Sequence, residues 1–76
     1  MDHDLLADHL EQAEHHVEQA DEHIARQTDL IAWLETRGHD ATEAKRLLVL
    51  FQEIQATHIA DRDRLRELVL GTQKPN

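Results

Sequence analysis

The chain has 76 residues and a formal charge of −8, from 16 acidic and 8 basic side chains, a balance that repels polyanions and sets nucleic acid aside as a partner. Cysteine is absent, which excludes disulfides and thiolate metal sites. A single domain of this length has a small core, so stability has to come from oligomerisation, a metal held by histidine and carboxylate, or very regular helix packing.

The opening stretch MDHDLLADHLEQ is acidic and lacks the apolar segment of a signal peptide. The longest apolar runs, LIAWL at 30–34 and LLVLF at 47–51, are far short of the roughly 18 residues that span a membrane. The expectation is a cytoplasmic chain with no membrane partner. Two glycines and one proline punctuate the rest. Gly38 and Gly71 each follow a long helical pattern, as glycines that end helices do, and Pro75 follows the second. Asp40 with Glu43 three places on has the form of an N-cap and capping box. The prediction is one all-α domain over 1–76: helices at about 4–36 and 41–70, the turn RGHD, and a frayed tail at 72–76.

In the first helix Leu6, Leu10, Ala13, Val17, Ala20, Ile24, Gln27, Ile31 and Leu34 alternate four and three apart, the spacing of a left-handed helix–helix seam. In the second, Ala44, Leu47, Phe51, Ile54, His58, Asp61, Leu65 and Leu68 keep the same alternation, and Leu50 and Val69 widen the stripe. A turn this short makes the helices antiparallel. Residues 1–40 hold eleven acids and two bases, and residues 41–76 hold five acids and six bases. Folding about Gly38 and His39 sets Arg62 and Arg66 against Glu11, Glu14 and Glu18, so charge favours one alignment. A hairpin alone leaves each helix with one neighbour. The economical solution is a homodimer that closes an antiparallel four-helix bundle.

His58 and Asp61 interrupt the second seam and Gln27 interrupts the first. Leaving such groups buried and unpaired costs several kcal/mol, on the order of a lost solvation shell. The expectation is a polar layer of His16, His23, Gln27, His58 and Asp61, with Asp61 reaching His58 one turn back on its own helix. The plainer role for this layer is to fix alignment, as one buried Asn does in a coiled coil. The sharper role is a metal site. His9, His16 and His23 recur every seven residues beside the seam, and His16, His23, His58 and Asp61 form an imidazole and carboxylate set suited to zinc or another divalent transition metal. The Glu-x-x-His pattern of di-iron bundles is missing, and HIAD at 58–61 has the reverse order. Trp33 lies outside the seam near the turn. It either packs with Leu48 and Phe51 or offers an apolar patch to another protein. With no cysteine, no serine and no glycine-rich phosphate loop, nothing points to a nucleophile or a nucleotide. The expectation is a small non-catalytic module whose partners are itself and an unidentified protein.

The segment from Glu22 to Leu68 resembles a group of short uncharacterised bacterial proteins from soil and plant-associated species. The stretches HIARQ, GHD, EA..LL..F and H.ADRDRL recur together in that group. The resemblance implies a helical hairpin and no established activity. It also implies that His23, Arg26, Gln27, Gly38, His39, Asp40, Glu43, His58, Asp61 and Arg62 belong to the group's pattern.

Overall fold

The computed structural model describes residues 3–73, as two helices, α1 (His3–Thr36) and α2 (Thr42–Gln73), with no strand among the described residues. Neither helix contains proline and α1 contains no glycine, so nothing interrupts either hydrogen-bond ladder.

Backbone geometry ends α1 sharply. Gly38 has φ of +73°, the one positive φ among the described residues. His39 N–H donates to the Leu34 carbonyl at 2.9 Å and Gly38 N–H to the Glu35 carbonyl at 3.1 Å. These are the two bonds of a Schellman ending, and they need a left-handed residue at the glycine position. Asp40 starts α2. Its Oδ1 accepts from the Thr42 N–H at 2.9 Å and the Thr42 hydroxyl at 2.6 Å. Those bonds, the hydroxyl's first, hold the Asp40 carboxyl below its ordinary value. The expected capping box does not close. Glu43, in the first turn of α2, pairs forward with Arg46 at 2.8 Å rather than back with Asp40, so Asp40 caps alone.

Gly71 is no helix end. It has no positive φ, and α2 runs through it to Gln73. The predicted end near residue 70 is therefore corrected to Gln73. The last residues of the predicted tail, 74–76, lie outside the described residues.

All nine residues of the α1 seam are buried or half-buried. The α2 seam differs in phase from its sequence expectation. The residues turned toward α1 are Ala41, Ala44, Leu48, Phe51, Gln55, His58, Arg62, Leu65 and Val69, at alternate spacings of three and four. Ala44, Phe51, His58 and Leu65 belong to both patterns. Leu47, Ile54 and Leu68, placed in the seam by hydrophobicity, are 46%, 43% and 46% exposed. The sequence stripe thus straddles two faces of α2: one against α1, and one turned outward with Leu50.

This phase brings opposite charges together. Along one flank, Lys45 Nζ sits 2.8 Å from Glu35, and Arg66 lies 3.6 Å from Glu14. The Glu35 carboxylate beside it holds the Lys45 ammonium above its ordinary value. On the same flank Gln55, 6% exposed, donates to the Val17 carbonyl at 2.9 Å and to Asp21 Oδ1 at 2.7 Å. Turning the Leu47–Ile54 row inward rotates these partners apart. Arg66 meets Glu14 as charge predicted, whereas Arg62 pairs with its neighbour Asp63 at 2.9 Å.

Trp33 is 50% exposed. Its ring stacks on His39 at 5.9 Å, and the Arg37 guanidinium lies 4.7 Å over it. The turn residues hold it, while Leu48 packs on the Ile31, Ala41 and Ala44 cluster instead.

The hairpin is a rod of 61 × 15 × 14 Å with a radius of gyration of 17.4 Å. A compact chain of this length has a radius near 11 Å. No large side chain among the described residues is fully buried. Among the described residues no helix is long and apolar enough to cross a membrane.

Candidate functional site

The two flanks of the hairpin have opposite chemistry. The flank of Glu14, Asp21, Glu35, Lys45 and Arg66 is ionic. The other carries Leu5, His9, His16, His23, Leu30 and Trp33 from α1 and Leu47, Leu50, Ile54 and Leu68 from α2. Seven of these are large apolar side chains at least 43% exposed. The seven-residue recurrence of His9, His16 and His23 puts all three on this flank, because a heptad returns to the same face of a supercoiled helix.

At mid-length this flank opens into a groove of about 260 Å³, lined by His16, Gln19, Ala20, His23, Phe51, Ile54 and His58. Small Ala20 on α1 leaves the space. Phe51 and Ile54 form the apolar wall from α2. The rings of His16 and His58 face each other across the groove, centroids 5.4 Å apart and planes tilted by 40°. His16 is exposed and His58 half-buried. His23 lies farther toward the turn with its ring 6.1 Å from Phe51. A second depression of about 200 Å³ continues past His16 toward His9, Asp61 and Arg64.

The residues expected in one polar layer are strung along the hairpin. Gln27 donates to the Ala44 carbonyl at 2.9 Å near the turn. His23 lies against Phe51, and His16 against His58. Asp61 is half-buried and pairs with Arg64 one turn on, rather than with His58. Gln27 and His16 are eleven residues apart, about 16 Å along a helix, which is too far for one layer. Among the described residues no group of three or more His, Asp or Glu converges as a metal cluster within one chain.

Sequence reasoning missed Gln55, the most buried polar side chain. Its Oε1 is buried with no hydrogen-bond partner among the described residues. The usable signal was electrostatic. Lys45, Gln55 and Arg66 share the flank that meets Glu35, Asp21 and Glu14, and an inward seam consistent with them passes through position 55.

The arrangement offers an apolar surface and a pair of imidazoles. Compared with known proteins, the chain matches no family model, no curated protein and no solved structure.

Proposed function

We propose that the chain is a small, non-catalytic, cytoplasmic interaction module that works as a homodimer, two hairpins joined along the histidine and leucine flank into a four-helix bundle. The observation that carries this reading is the surface area. A folded monomer of 8.8 kDa ordinarily exposes about 4,800 Å². The hairpin exposes 5785 Å², an excess of about 1,000 Å², and a stable interface takes about 800 Å² from each partner.

The excess has a direction. Among the described residues, seven of the ten exposed large apolar side chains lie on one flank, while the opposite flank is satisfied by its own ion pairs. A second copy is the occupant with matching dimensions, since an identical rod pairs along its whole length. Antiparallel packing of two such faces is the usual economy of four-helix bundles.

The test is a double substitution, Leu50→Glu with Ile54→Glu. Both positions are outside the hairpin seam and 48% and 43% exposed. The double variant keeps its helical circular dichroism and sediments as a monomer. A wild-type-like mass for this variant refutes the assigned face.

A second reading, a histidine and carboxylate metal-binding bundle, is favoured by the facing of His16 and His58.

A further inference from the structure

We propose that His16 and His58 of one copy and His23 of a second copy together bind a zinc ion, so that the homodimer carries two interfacial metal sites. This rests on the dimer proposed above.

The distance between the two rings is the first argument. Zinc takes imidazole nitrogen at about 2.0–2.1 Å in tetrahedral geometry. With the ring centroid about 1.1 Å beyond the nitrogen, two imidazoles on one tetrahedral ion have centroids about 5 Å apart. His16 and His58 are at 5.4 Å. Their planes are tilted by 40°, so the two rings are not stacked face to face. They also come from different helices, so an ion between them ties α1 to α2.

Two ligands do not hold a zinc ion securely, and no third converges with them among the described residues of the single chain. The position of His23 supplies it through symmetry. Gln19 and Ala20 lie midway between His16 and His23, and they are also the midpoint of α1 (His3–Thr36). A two-fold axis crossing α1 at that level packs it antiparallel on its copy. It then brings the second copy's His23 to the level of His16, and the reverse. The groove opens on the flank assigned to the dimer, and Ala20 on its floor lets the helices approach closely. Each ion then has three imidazoles and one position left for water, a donor set that suits zinc. Asp61 is held by Arg64 and stays outside the set.

The experiment uses the full-length chain freed of metal with EDTA. Cobalt(II) is the probe, because tetrahedral coordination gives it an intense visible band. Sedimentation equilibrium is run on the same samples. The expected result is a dimer with and without metal, one cobalt per chain, and a tetrahedral band that zinc bleaches. His16→Ala weakens cobalt binding at least about 100-fold, since even outer-shell partners of a metal carry about 10–100-fold. His16 is exposed, so this substitution leaves the fold intact, and circular dichroism checks it. His9→Ala and His15→Ala leave binding unchanged.

Trans-complementation tests the interchain part. His23→Ala homodimers and His16→Ala/His58→Ala homodimers each lack a full site. Mixing them restores the band at one ion per heterodimer. A dimer with no tetrahedral band overturns the metal site while leaving the dimer standing. A band lost equally in His9→Ala, or a mixture that fails to recover it, overturns the assigned ligands. A chain that stays monomeric with cobalt present overturns the dimer and, with it, the site.

Discussion

The two glycines separate two accounts of how the hairpin ends its helices. Gly38 has φ of +73° and a built Cβ there meets nothing within 4 Å. The cost of Gly38→Ala is therefore conformational and not steric. A left-handed conformation costs an L-residue about 1–2 kcal/mol. The stiffer unfolded chain offsets about 0.4–1 kcal/mol of this. The net effect is a loss of about 1 kcal/mol. Gly71 also meets nothing within 4 Å, but it is exposed and has helical backbone. Alanine in a helix is favoured over glycine by about 0.5–1 kcal/mol. Because α2 ends two residues later, Gly71→Ala gains at the lower end of that range. For a chain of this size 1 kcal/mol moves Tm by about 4–8 °C. The two variants therefore move Tm in opposite directions. The assay is urea and thermal unfolding followed by circular dichroism. All samples are held at one protein concentration, because the Tm of a dimer depends on it. Loss of stability in Gly71→Ala comparable to that in Gly38→Ala refutes the reasoning. It makes Gly71 a left-handed cap and ends α2 near Leu70.

Two further outcomes concern the seam and the turn. Asp21→Ala removes the charged acceptor of Gln55 and costs about 1–1.5 kcal/mol in urea unfolding, at the weak end for such bonds because Asp21 is exposed. Asp21→Asn keeps an acceptor and costs less, and equal stability of Asp21→Ala and wild type sinks the assignment. The Asp40 carboxyl is held low, chiefly by the Thr42 hydroxyl. A depressed carboxyl stabilises the fold above its unfolded value, and this contribution disappears as pH falls through the folded one. Thr42→Ala therefore raises the Asp40 midpoint followed by NMR and shrinks the acid-side loss of stability. An unmoved midpoint contradicts that cause.

The α1 seam was fully legible, because its heptad from Leu6 to Leu34 has no competing apolar row. The α2 seam was half legible. Ala44, Phe51, His58 and Leu65 sit where both possible phases overlap, and hydrophobicity alone prefers Leu47, Ile54 and Leu68 to Gln55 and Arg62. That preference is real, but it belongs to the outer face. Amphipathic periodicity reports that a residue avoids water without saying which neighbour covers it. The ion pairs Glu35–Lys45 and Glu14–Arg66 mark the phase that forms, and they are visible in the sequence only once both helices are turned together. The Gly38 turn was readable from its glycine. The Gly71 end was misread by the same rule, because composition does not distinguish a left-handed glycine from a helical one. The facing of His16 and His58 follows from the correct phase of α2. The expected Asp61–His58 contact fails because Arg64 is one turn away on the exposed side.

The central claim is that the hairpin is half of a bundle. Sedimentation equilibrium of the full chain in EDTA, across protein concentrations, tests it most directly. The account predicts one species at twice the chain mass of 8.8 kDa. A stable, helical species at the mass of a single chain throughout contradicts it.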